Sequence, residues 1–183
     1  MELLESCRQY AHKFYSDLMV ATEKTLDNAL FEQAKNSTNN EDQNRFYGAI
    51  QLLKNRSGAM QAVFQQAMTE SFREFGSGQD QEHSVEQQID MSTLSLVQRD
   101  ELEDELAISV IVSKSNSRNS EALWKLNKRL AVMRGGKNVT DETNPFGPAQ
   151  VCEALQKAIQ QLDMDSKTRI YIYKHFGKSF VVS

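Results

Sequence analysis

The sequence contains only two prolines in 183 residues, and Pro145 and Pro148 share one loop. Proline breaks helix interiors, so nothing upstream of Asn144 interrupts a long helix. The two cysteines, Cys7 and Cys152, are too few and too far apart for a disulfide scaffold. Neither has a Cys or His partner at metal-ligand spacing, and each falls on an apolar helical stripe. Both read as small buried hydrophobes, which suits a reducing cytoplasm. No run approaches the ~20 apolar residues of a membrane span. The N-terminus carries Glu2, Glu5 and Arg8 and lacks the apolar core of a secretory signal.

Catalytic signatures are missing as well. There is no phosphate-binding glycine loop of the Walker or GxGxxG type. No GxSxG elbow and no HExxH pair appear. Of the three histidines, His83 lies in a polar stretch and reads as solvated. His12 and His175 have no carboxylate at helical spacing to orient either as a general base. The expectation is a non-enzyme with no catalytic residues, no metal site and no cofactor.

What remains is a globular balance of 39% hydrophobic and 25% charged residues with a net charge of -4. Residues 2 to about 35 read as one amphipathic helix with Leu3, Cys7, Tyr10, Phe14, Leu18, Ala21, Thr25 and Ala29 on the inner face. The polar run from Asn36 to Asn40 stops it, and Asn40 or Asp42 is placed to cap the next helix. That helix continues to about Phe75 with Phe46, Ile50, Leu53, Ser57, Met60, Phe64, Ala67 and Ser71 on its stripe. A short turn between two long helices predicts an antiparallel hairpin over 1–75. Residues 76–92 are rich in Gly, Gln and Glu and read as a polar linker.

The remainder, 93–183, reads as three further helices. Leu94, Leu96 and Val97 suggest a short extended piece before a helix capped by Asp100, with Glu103 as its capping-box partner. Asp100, Glu101, Glu103, Asp104 and Glu105 then complement the positive end of the helix dipole, a metal site being the alternative. Leu102, Leu106, Val110, Leu123, Trp124, Leu126 and Leu130 form the predicted stripe. The polar run Ser113–Ser120 is a place to bend. Gly135-Gly136 predicts a left-handed helix end. Phe146, between the prolines, is expected to plug an apolar pocket. Pro148 opens a helix that turns Val151, Cys152, Leu155, Ile159 and Leu162 inward. Asp165 or Ser166 caps the last helix, with Ile170, Tyr173, Phe176/Gly177, Phe180 and Val181 as its stripe. A strand at 170–173 is the alternative to that helix.

Charge offers one candidate site. Residues 114–137 carry seven bases against one acid, Glu121. This reads first as a solvated basic face. The sharper reading is an anion-binding surface in which Lys125, Lys128, Arg129 and Arg134 contact phosphates.

Five blocks carry a resemblance when taken in order. They are EDQNRFYGAI at 41–50, LSLVQRDELEDEL at 94–106, SEALWKLNKRLAVMRGG at 120–136, NPFGPAQVCEALQKAIQQLDMD at 144–165 and RIYIYKHFGKSFV at 169–181. Together they resemble the N-terminal portion of a proteobacterial domain-of-unknown-function family (DUF1631) that is often mislabelled as thymidine phosphorylase. The resemblance implies a helical piece of a longer protein and carries over no catalytic residues. The apolar run Phe180-Val181-Val182 near the end fits such a piece.

The expected fold is therefore all-α, an elongated bundle of a long hairpin plus three more helices. The expected function is a non-catalytic cytoplasmic interaction or regulatory module of a larger bacterial protein. Its expected partner is a protein, with a nucleic acid or nucleotide as the less favoured alternative and a homo-oligomer left open.

Overall fold

The computed structural model describes the backbone of residues 2–77 and 96–182 and the side chains of residues 3–77 and 99–179. Five helices follow in order: α1 Glu2–Asn36, α2 Asn40–Ser77, α3 Leu96–Met133, α4 Pro148–Gln160 and α5 Ser166–Val182. No strand occurs among the described residues, and 170–173 is helical. The region is all-α, as expected. The expected linker lies mostly outside the described residues, as do Leu94 and His83.

The hairpin turn is set by Asn39. Its Oδ1 accepts from the Asp42 backbone N–H at 2.6 Å, and its Nδ2 donates to Asp42 Oδ2 at 2.9 Å. The Asn39 side chain is thus the N-cap of the second helix. This corrects the expected cap at Asn40 or Asp42 by placing it one residue earlier. Asn40 is already helical, and Asp42 is the third-position partner.

The buried face of α1 is Ala11, Tyr15, Met19, Thr22, Leu26, Leu30 and Ala34. The expected face is one residue off, about 100° around the helix. Leu3, Tyr10 and Phe14 are 62%, 71% and 41% exposed. The true face was masked by its small members, Ala11, Thr22 and Ala34, which allow close helix approach. Thr22 is tolerated inside because its hydroxyl donates to the Leu18 carbonyl at 2.8 Å. On α2, Leu53, Met60, Phe64 and Phe75 are buried as expected, joined by Ala49, Met68 and Phe72.

Helix α3 begins at Leu96, so Leu96 and Val97 are helical rather than extended, and Asp100 lies inside the helix rather than at its cap. Asn119 interrupts it with φ -106 and ψ 16, inside the polar run expected to bend. Its Nδ2 donates to the Ser115 carbonyl at 3.1 Å. The inward residues are Asp104, Ile108, Ile111, Ser115, Leu123 and Leu130. Leu106, Val110 and Trp124, expected inside, face outward. Gly135 and Gly136 end the helix region with φ of 70° and 91°, a backbone that favours glycine.

The following loop is pinned by Asn144, which is fully buried. Its Nδ2 donates to Asn127 Oδ1 at 2.7 Å, and its Oδ1 accepts from the Phe146 backbone N–H at 2.9 Å. Asn127 in turn donates to Asp141 at 2.8 Å. Phe146 packs edge-on to Phe72 at 4.9 Å, in the apolar surroundings expected for it. Pro148 opens α4, on which Val151, Cys152, Leu155 and Ile159 are buried as expected, while Leu162 is buried just past its end. Asp165 caps α5, accepting from the Thr168 backbone N–H at 3.1 Å. Ile172, Tyr173 and Phe176 are buried on α5, while Ile170 is half-buried; the side chains of Phe180 and Val181 lie outside the described set. One core joins residues of all five helices.

A candidate helix-docking groove between α3 and α5

Helices α3 and α5 run side by side in the same direction. Asp104 meets Arg169 at one end, and Ile111 meets Gly177 further along. The contact is close because residue 177 lacks a side chain. A Cβ there would lie 2.9–3.1 Å from three side-chain carbons of Ile111. The two helices line an open groove of about 860 Å³ beside this contact.

Helical spacing builds the walls. Leu106, Val110 and Lys114 follow at four-residue steps on α3, with Glu103 one turn before Leu106 and Ala107. Ile170, Lys174 and Lys178 do the same on α5, beside Tyr171 and His175. Leu106 is 58% exposed and Val110 52% exposed, so the apolar wall is open to solvent. The Tyr171 hydroxyl donates to the Ala29 carbonyl at 3.2 Å and ties this wall to α1.

The electrostatics separate a buried pair from the rim. Asp104 is almost fully buried between α3 and the start of α5, off the groove lining; Arg169 Nε donates to its Oδ2 at 2.6 Å and Ser166 Oγ to its Oδ1 at 3.4 Å. Burial pushes this carboxyl up, and the Arg169 and Ser166 contacts pull it back down. On the rim, His175 Nε2 lies 2.9 Å from Thr25 Oγ1. Thr25 already donates its hydroxyl hydrogen to the Thr22 carbonyl, so the imidazole is the donor here. Burial, and then the charge of Lys178, push the imidazole below its ordinary value. His12 repeats the arrangement on α1, donating to Thr69 at 3.0 Å while Thr69 donates to Gln65. Burial also pushes the Cys152 thiol up to about 12, which leaves it inert.

The basic residues singled out by sequence lie on the second half of α3 and just beyond it. Lys125 pairs with Glu121 at 2.5 Å, Lys128 lies 5.8 Å from the Trp124 ring centre, and Arg129 is exposed. These three stand at i, i+3 and i+4 and share a side of the helix. Arg134 is apart from them, half-buried with its guanidinium 4.9 Å from the Phe75 ring. The groove residues were missed because Leu106 and Val110 were assigned to the core. The available signal was an excess: α3 carries apolar residues on two sides, Leu106/Val110 and Ile108/Ile111, and one core needs only one.

Among the described residues, no group of three His, Cys, Asp or Glu side chains could hold a metal, and no helix is long and apolar enough to cross a membrane. No curated protein and no solved structure matches the chain. A family model does match, over residues 1–182, and it covers both walls of the groove and the hairpin beneath: the chain belongs to the family described as protein of unknown function (DUF1631), N-terminal domain.

Proposed function

We propose that this region is a non-catalytic helical interaction module that receives the apolar face of a partner helix between α3 and α5. The observation that carries the reading is the pair Leu106 and Val110, exposed on the wall of a groove framed by two helices. Apolar area of this kind gains about 25 cal/mol per Å² when a partner covers it. Helix-in-groove docking uses anchors at i, i+3, i+4 and i+7, which such a channel accepts. Two unbridged cysteines support a reducing, cytoplasmic setting for it.

The test is a titration with a synthetic, uncharged helix bearing a leucine stripe, followed by fluorescence anisotropy. Binding is expected for the parent protein and its loss for Val110→Arg, with unchanged circular dichroism. Binding that persists in the variant refutes the reading.

A second reading rests on Lys125, Lys128 and Arg129 around the exposed Trp124 ring. Basic side chains beside an aromatic face suit a single-stranded nucleic acid. Affinity for such a strand would fall steeply with salt, and salt-independent binding or none would eliminate it.

A further inference from the structure

We infer that the groove selects one class of occupant in one orientation: an amphipathic helix with an acidic first turn, lying antiparallel to α3 and α5. This deepens the interaction reading above and rests on it. The carrying observation is the uneven charge of the rim. Lys114, Lys174 and Lys178 stand on the middle and C-terminal part of the groove, and Glu103 is the acid on its lining, at the opposite end. Just before Glu103, Asp100 is balanced by Arg99 on α3, and Lys167 adds one further cation at the start of α5. Glu101 and Glu105 add two exposed acids there, and Asp104 is neutralised by Arg169, so the acid end is net negative, while the lysine end carries three positive charges.

Three physical terms then agree on direction. Carboxylates are favoured in the first turn of any helix, because the N-terminal amide groups carry partial positive charge. Those carboxylates find their complement at the lysine end. An occupant starting there points against α3 and α5, so its positive end lies beside the negative end of α5. The reverse orientation would place the occupant's C-terminal carbonyls on Lys178 but its acidic turn on Glu103, losing the side-chain pairing. The length also fits. Glu103 to Lys114 spans about 16 Å at 1.5 Å per residue, which is three turns of a helix.

The experiment uses the whole chain and two synthetic probes of about fifteen residues. Both carry the same leucine stripe. One has glutamates in its first turn and a nitroxide at its N-terminus; the other is uncharged. The acidic probe is expected to bind about tenfold more tightly than the uncharged one at low salt, a difference that shrinks as salt is added. The nitroxide is expected to broaden the amide signals of Lys114 and Lys178 and to spare those of Asp100 and Glu103. Lys114→Glu with Lys178→Glu is expected to remove the tenfold preference and leave the uncharged probe unaffected.

Broadening at Glu103, or equal binding of the two probes, overturns the inference and leaves the docking reading in place. Failure of both probes overturns both. A self-dimer in sedimentation that Val110→Arg dissolves puts a second copy of the chain in the groove and also overturns the inference.

Discussion

Arg169 donates its Nε–H to the Asp104 carboxylate at 2.6 Å, and the Asp104 side chain is only 1% exposed. The guanidinium also donates from a terminal nitrogen to the Met164 carbonyl at 2.5 Å, so one side chain holds α3, the α4–α5 turn and the start of α5 together. Replacing Asp104 by Ala leaves a nearly buried cation without its anion and is expected to cost about 3–5 kcal/mol. Replacing both residues by apolar ones, Asp104→Leu with Arg169→Met, is expected to recover most of that loss. Urea denaturation of the parent protein and the two variants measures it, and a double variant no better than Asp104→Ala contradicts the argument.

Gly177 sets how near α3 and α5 come. Gly177→Ala is expected to destabilise by about 1–3 kcal/mol through overpacking against Ile111. Adding Ile111→Ala opens the space the new methyl needs. The two changes together should cost less than the sum of their separate effects, and thermal melts of the double-mutant cycle read that coupling.

Asn144 is expected to be intolerant of truncation. Asn144→Ala removes two side-chain hydrogen bonds, to Asn127 and to the Phe146 amide, from a fully buried position. The expected loss is about 2–3 kcal/mol. It should appear first as faster amide exchange at Phe146 and Asn127, and unchanged exchange there argues against a pinning role.

Acid should weaken the fold before the carboxylates titrate. His12 and His175 are both held below the ordinary value of 6.5 by burial, with Arg8 and Lys178 adding repulsion. The unfolded chain therefore takes up protons first as pH falls. Their contribution is fully present above about pH 6.5 and is lost as pH drops through the lower folded values. Denaturation midpoints at pH 7.5 and 5.5 are expected to differ for the parent protein and to converge for His12→Gln with His175→Gln. An equal drop in the variant assigns the effect to other groups.

Large residues with one clear direction were legible from sequence. Phe64 and Met60 on α2, and Val151, Leu155 and Ile159 on α4, are buried where periodicity put them. So were the backbone markers, Gly135-Gly136 and Pro148. Helix α1 was misread because Leu3, Tyr10 and Phe14 outweigh Ala11, Thr22 and Ala34 in hydrophobicity, while close helix contact favours the smaller set. The groove was hidden for a related reason: periodicity reports that Leu106 and Val110 share a face, and cannot report that nothing covers it. Asp104 was lost among neighbouring acids because its partner, Arg169, is 65 residues away.

The break at Asn119 divides α3 into two helical segments. A stiff rod would carry any tilt of its first half straight through to the turns around Leu130. With Asn119 outside the helical dihedrals, α3 is not such a rod. Leu106 and Val110 on one side of the break and Trp124 on the other are thus exposed on separate segments of a single helix.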